Sequence, residues 1–363
     1  MTPADARTAH PFYMYEAMRE QPDAFAAVAG RTAAAAEACA PRLAACDRLY
    51  FVGIGTSYHA ALTAEYLMRS YGGMPVYAAH AFDFALYGPT LGPRDGVITV
   101  THRGTKRYTR DALVRARKAG SPTVVVTGDG PEDRAVADVV IQTVAQERSA
   151  THTVSYAGAV AALGVLTAQI GAARRARPVL DAAVLKTTVP GALRGALALE
   201  PQIADRARGL ASSPRIWLVG GGPGAVAATE GALKIKETSY ATAEGMSAEA
   251  MLHGPFQSTE REDLFILIAQ AGAAQPRVTD VAAAVQEIGA KLIVVDDGTA
   301  SIAGGGVTAR WRVPAVPEPF TALTCAVPLQ LFSYHLALAR GTNPDSFRLD
   351  DPRFRAAYRR VAL

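Results

Sequence analysis

Short apolar runs, glycine turns and Ala-rich stretches alternate along most of this 363-residue chain. Residues 48–69 read as an apolar run, a glycine turn, then polar positions at helical spacing, and residues 215–236 repeat that order. Residues 96–104 (GVITVTHRG) and 264–272 (LFILIAQAG) form a second pair. Each starts a helix that ends at Gly120 or Gly289, and another apolar run follows, PTVVVTGD or KLIVVDDG. Brief apolar runs bounded by turn residues predict buried strands. Strands alternating with helices predict an α/β protein whose mostly parallel sheets are covered on both faces, three layers αβα.

The two patterns are one pattern written twice. Gly53 and Gly220 lie 167 positions apart, Gly104 and Gly272 168, and Gly120 and Gly289 169. An offset this constant at three landmarks predicts duplication. The expected division is a first domain over 1–190 with N-terminal helices (residues 8–46), a second over 191–340, and a tail over 341–363. Residues 186–212 predict a helical connector.

Composition narrows the classes. Half the residues are apolar and 19% are charged, a globular balance with ample core material. A formal charge of +4, spread along the chain, suits an anionic small molecule and gives no reason to expect a nucleic-acid partner. The three cysteines, Cys39, Cys46 and Cys325, form no CxxC or Cys/His cluster, so neither a disulfide framework nor a zinc site is expected. Met1-Thr2-Pro3 opens a polar segment without a leader-peptide pattern. No linear apolar run reaches the roughly 18 residues of a membrane span. No membrane association and a cytoplasmic location are therefore expected.

In open α/β sheets, ligands sit at the carboxyl ends of strands. The first candidate turn is Gly53-Ile54-Gly55-Thr56-Ser57-Tyr58. Glycine admits close backbone approach, the following helix offers free N–H groups, and Thr56 and Ser57 add hydroxyls, which together would cradle phosphate. The plainer alternative is a tight turn with a helix cap. Tyr58 replaces the third glycine of a dinucleotide fingerprint, and no G-K-[ST] follows, so no nucleotide cofactor is expected. The second candidate is Thr101-His102-Arg103-Gly104-Thr105-Lys106, which together with Arg107 gathers three cations and a histidine at a helix start. Cations there oppose the helix dipole. A docked anion would resolve the conflict, while a solvated surface loop is the bland alternative. The third is Glu230, Lys234 and Glu237, which share one helix face. Such ladders usually lie on the surface, but the flanking Ala, Leu and Ile make buried use plausible. Glu244, Glu249 and Leu252-His253-Gly254-Pro255 follow, with His253 by default a turn residue. The polar, aromatic and basic tail fits a solvated end or a flap over a site, and composition favours the former.

Taken together, these segments resemble the tandem sugar-isomerase (SIS) domain family. Its members include the isomerase domain of glutamine–fructose-6-phosphate aminotransferase, amino-sugar-phosphate deaminases and fructoselysine-type deglycases. The similarity covers nearly the whole chain: MYEAMREQP at 14–22, GTSYHA at 55–60, EGALKIKETSYATAE at 230–244, LHGP at 252–255 and PLQLFSYHLALARGTNPD at 328–345. The resemblance implies that Glu237 is the base moving a proton between C1 and C2. It implies that Lys234 contacts the reacting end and that His253 assists ring opening from the partner subunit of a homodimer. It further implies substrate contacts at Gly55, Thr56, Ser57, Thr101, His102, Arg103, Thr105, Lys106, His152 and Glu244, and a tail near the active site.

The chain also departs from the family. Its second turn normally carries small hydroxyl residues, yet Arg103 and Lys106 stand here. They would grip phosphate by charge, or select another anion such as a carboxylate. His152 stands where the synthase has serine, and the synthase's C-terminal lysine near the sugar has no clear counterpart; the tail carries Arg348, Arg353 and Arg355 instead. No cysteine stands at position 2, so no use of glutamine as ammonia donor is expected. Three functions follow. The first is an isomerase, deaminase or deglycase of an amino-sugar or ketose phosphate. The second is a biosynthetic relative taking a non-phosphorylated or carboxylated sugar, and the third is a non-catalytic sugar-phosphate sensor.

Overall fold

A computed structural model of the chain describes residues 7–129 and 136–361. The opening residues on which the leader-peptide reading rests, and the last two of the tail, lie outside these. The chain forms two compact units. One comprises the described parts of Glu20–Glu147 and Val154–Pro190, the other those of Met1–Arg19, Arg148–Thr153 and Gly191–Leu363. Residues 7–19 and 148–153 thus belong with the second sheet, whereas a single boundary near 190 would place them with the first.

The first unit holds β1 (Arg48–Gly53), β2 (Val76–His80), β3 (Asp95–Thr101), β4 (Thr123–Thr127) and β5 (Val139–Gln142), in the order β2-β1-β3-β4-β5. All four pairings are parallel. The second unit holds β6 (Ile216–Gly220), β7 (Ala243–Ser247), β8 (Leu264–Ile268), β9 (Lys291–Asp296) and β10 (Val307–Arg312). Its order, β10-β9-β8-β6-β7, is the same topology and again wholly parallel. In each sheet the order reverses beside the first strand, between β1 and β3 and between β6 and β8, which is where such sheets open a crevice.

Burial explains which strands the pattern shows. β3, β4, β6 and β8 are buried at every position, and β1 and β9 at all but the first. Parallel strands covered on both faces have no solvent side and read as continuous apolar runs. In the second unit Phe265, Leu267, Leu292 and Val294 pack with Val278, Val281 and Val285 of the helix Gln275–Ile288. Each such side chain contributes about 1.5–3 kcal/mol by leaving water. β2, β5, β7 and β10 are partly exposed, carry mixed residues and leave no such run.

Two helical stretches, Val154–Arg174 and Glu318–Ala339, are long and apolar enough to cross a membrane, which no linear run suggested. Their apolar windows are 78% and 83% buried within the protein, so both are core elements.

Candidate active site

The duplicated glycine turns have the same conformation. Gly55 precedes the helix Thr56–Tyr71 at φ 56°, ψ −130°, and Gly222 precedes the helix Pro223–Ser239 at φ 54°, ψ −128°. A Cβ on Gly53 would lie 2.4 Å from the carbonyl of Ser57, and one on Gly220 2.4 Å from that of Gly224. Only glycine permits this approach, in which the first helical turn folds back on the strand end. In the first unit the turn presents half-buried Thr56 and Ser57 with the helix N-terminus, as an anion cradle requires.

β3 lies against β1, so the second turn emerges beside the first. Its residues divide into two sets. Thr101 is buried, and its Oγ1 accepts from the Gly104 N–H at 3.3 Å. His102 is buried, and its Nε2 accepts from the Glu147 N–H at 2.9 Å. Burial, followed by the charge of Arg103, pushes this histidine down to about 4, so the ring is neutral at pH 7. These two residues, expected as substrate contacts, point inward and brace the turn. Arg103 and Thr105 are exposed and Lys106 is half-buried. Neither cation meets a carboxylate among the described residues. Burial, then Arg103, lowers the Lys106 pKa. The helix that follows, Arg107–Lys118, has no acidic residue in its first turn. Arg107 meets Asp111 at 3.5 Å, so the positive charge left where an anion would be held is that of Arg103 and Lys106.

The second unit places the carboxylate ladder. The helix Pro223–Ser239 lies deep against the helix Ala326–Ala339: a Cβ on Gly231 would stand 2.6 Å from Leu329, and Thr238 Oγ1 donates to the Ser333 carbonyl at 3.0 Å. That packing buries what would otherwise be a surface ladder. Lys234 Nζ lies 2.7 Å from Glu237 Oε2 and 3.4 Å from Glu230 Oε1. The Lys234 and Glu230 side chains are 1% and 0% exposed, and Glu237 is 19% exposed. Glu237 opens onto a cavity of about 440 Å³ shared with Lys236, Tyr240, Phe347, Arg348 and Phe354. The helix ends at Ser239 because Tyr240 turns left-handed at φ 57°. Glu244, three residues beyond Ala241, therefore lies on the partly exposed edge strand β7 and is itself exposed.

The tail is not simply solvated. Phe347, Arg348, Phe354 and Tyr358 line the Glu237 cavity, although the helix Pro352–Val361 buries no residue. Of the tail arginines that stand in place of the synthase's C-terminal lysine, Arg348 lines this cavity and Arg353 and Arg355 do not; Phe347, Phe354 and Tyr358 carry only an amphipathic signal in the sequence. His253 is 76% exposed, with its Nε2 3.1 Å from Glu249 Oε2, and Arg277 also holds Glu249. Neither His253 nor Glu244 lines the cavity. His152 is half-buried in the 148–153 loop.

Comparisons with known proteins agree with this architecture. The SIS domain family matches residues 42–169 and 209–340. A glutamine–fructose-6-phosphate aminotransferase (isomerizing) of Halobacterium salinarum is 32% identical over 360 residues, covering 95% of this chain and 59% of that protein. The chain thus spans little more than half the length of that relative. Among solved structures, the C-terminal domain of glucosamine-fructose-6-phosphate aminotransferase from Francisella tularensis superposes with a TM-score of 0.85 at 20% identity, covering 94% of this chain and all of that one. Tagatose-6-phosphate ketose/aldose isomerase from Escherichia coli gives 0.76 at 18% identity, covering 94% and 96%. Two family matches, one on each five-stranded parallel sheet, make the chain a member of the SIS domain family, similar to the isomerase domain of glutamine–fructose-6-phosphate aminotransferase.

Proposed function

We propose that this protein is an enzyme acting at C1–C2 of an amino-sugar or ketose phosphate, as an isomerase, deaminase or deglycase. The observation that carries this reading is the buried Glu230–Lys234–Glu237 ladder with only its last carboxylate open to a cavity. An ammonium 2.7 Å from Glu237 favours the carboxylate form, which is the form a base needs. In this mechanism Glu237 takes a proton from the carbon beside the carbonyl, leaving an enediol or enolamine. The proton returns to the neighbouring carbon in isomerisation; in deamination or deglycation the same transfer leaves an imine, water adds to the imine carbon, and the C–N bond breaks to release the amine and the sugar carbonyl. Lys234, buried behind Glu237, keeps that carboxylate charged between turnovers.

Thr56, Ser57, Arg103, Thr105 and Lys106 supply affinity for the phosphate. Arg103 and Lys106 replace neutral hydroxyl contacts with charge, so recognition here is more strongly electrostatic and more sensitive to salt. The surface position of His253, held by Glu249, fits service in the site of a second copy of the chain, with a homodimer as the working form.

Glu237→Gln tests the reading. We expect a fall in turnover of about 10²–10⁴-fold with substrate binding retained. Retained turnover would remove Glu237 from the chemistry. Wild-type protein that binds sugar phosphates but turns none over would favour the sensor.

A further inference from the structure

The cavity beside Glu237 carries more positive charge than proton transfer needs. Lys236 and Arg348 both line it, and neither side chain donates a hydrogen bond to any described residue. Arg348 does approach Asp351, but only at 3.9 Å, the outer limit of an ion pair. Asp351 is held instead by Arg353, through Nε at 3.1 Å, Nη2 at 2.8 Å and the backbone N–H at 2.9 Å. Those contacts, foremost Arg353, pull Asp351 down to about 2, and Arg348 is the smallest contributor.

Arg348 is held in place by aromatic rings. Its guanidinium carbon lies 4.1 Å from the Phe354 ring centre and 5.0 Å from that of Tyr240. Contact with both rings restricts how the planar fork turns while leaving its in-plane N–H groups available. The backbone is committed to this placement. Tyr240, Phe347 and Arg348 have φ of 57°, 49° and 59°, and they are three of the four non-glycine residues at positive φ among the described residues. Side-chain-bearing residues occupy that region at a cost, and its concentration around one cavity points to use.

We propose that this cavity is a carboxylate subsite: the substrate carries a carboxylate near the reacting carbon, received by Arg348 with Lys236 at the rim. This rests on the function proposed above and narrows its substrate class. A cavity of about 440 Å³ holds more than a two-carbon reacting centre. A guanidinium fork matches a carboxylate in two parallel hydrogen bonds. The aromatic walls and the nearby negative Glu237 disfavour a dianionic phosphate, whose desolvation would be the costlier. The carboxylate has two chemical sources: an amino acid joined through nitrogen to C1, or the sugar's own oxidised carbon.

Titration calorimetry on the full chain carrying Glu237→Gln, which blocks turnover, separates them. The amino-acid pair is N-(1-deoxyfructosyl)glycine 6-phosphate against N-(1-deoxyfructosyl)methylamine 6-phosphate. The sugar-acid pair is 6-phosphogluconate against sorbitol 6-phosphate. We expect the carboxylated member of one pair to bind about tenfold tighter or more. Adding Arg348→Met should bring that ratio near one, and Arg348→Lys, which keeps the charge but loses the fork, should leave an intermediate ratio. Fructose 6-phosphate is the reference. If it binds while both pairs show no preference, the subsite is refuted and the proposed function stands. If a preference survives Arg348→Met, Arg348 is not the receptor and the inference also fails. If no sugar phosphate binds, the functional reading fails first and the subsite with it.

Discussion

Replacing Lys234 by methionine tests the physical basis of the site without requiring a substrate. The substitution keeps an unbranched, apolar chain of similar length and removes one charge. Lys234 stands 2.7 Å from Glu237 and 3.4 Å from Glu230, and a unit pair near 3 Å attracts by roughly 5–6 kcal/mol at an effective dielectric of about 20. Desolvation of the three charged groups offsets much of that attraction, so the intact ladder is a modest net contributor. The broken one is not. Glu230 has no exposed side-chain surface, and removing the ammonium takes away the counter-charge 3.4 Å from it. Breaking a buried pair in this way costs about 3–5 kcal/mol, against a typical total stability of about 5–15 kcal/mol.

The sign of the pH dependence follows from the same geometry. In the variant, the folded state takes up a proton on the buried Glu230 carboxylate more readily than the unfolded state does. The folded state then binds more protons, so stability rises as pH falls. Urea denaturation at pH 8 and pH 5 should show the deficit of Lys234→Met shrinking toward acid. Adding Glu230→Gln should recover at least half of it at pH 8, because the buried charge that lost its ammonium is gone. A Lys234→Met deficit below about 1 kcal/mol, or one that does not change between the two pH values, would refute the argument that these charges stabilise one another in a dry interior.

Three further outcomes follow from individual sites. Lys106 is depressed below its usual 10.5 by burial and by Arg103, and a bound anion would restore its proton. Inorganic phosphate affinity should therefore fall as pH rises from about 8 through the free-state value, and Lys106→Met should flatten that profile; a flat wild-type profile at constant ionic strength would remove Lys106 from the anion site. Gly53→Ala puts a methyl group 2.4 Å from backbone and should cost about 1–3 kcal/mol or more by denaturant melt. Gly222→Ala meets nothing within 4 Å and bears only the positive-φ penalty of about 1–2 kcal/mol. Equal losses in these two variants would show that the strand-end contact does not control the turn.

What the sequence made legible, and what it hid, divides by the range of the physics involved. Six central strands, two glycine turns and the constant offset between the halves are local signals. A strand with no solvent side must be apolar throughout, and a backbone at φ near 55° favours glycine. Glu230, Lys234 and Glu237 were visible as one helix face because that depends only on 3.6-residue periodicity. Their burial was not, because it depends on Gly231 admitting Leu329, almost a hundred residues away in sequence.

The N-terminal segment shows the same limit. The helix Tyr13–Arg31 carries no obvious capping residue at its start, yet the N–H groups of Tyr13 and Met14 donate to the two carboxylate oxygens of Asp345 at 2.8 and 2.9 Å. Asp345 is itself 2% exposed, and its carbonyl accepts from the Ala150 N–H at 3.2 Å. One aspartate thus joins the chain's beginning, the 148–153 loop and the start of the tail within the second unit. Three segments remote in sequence gather on one residue, and no local window contains the pattern. The tail that passes Asp345 then carries Arg348 to the Glu237 cavity. Loss of this cap by Asp345→Ala should therefore act at two distances: on stability, by about 1–2 kcal/mol or more for an unsatisfied helix start, and on whatever Arg348 receives. A variant that loses stability but keeps the carboxylate preference would show that the tail holds its place through the Tyr240 and Phe354 contacts alone.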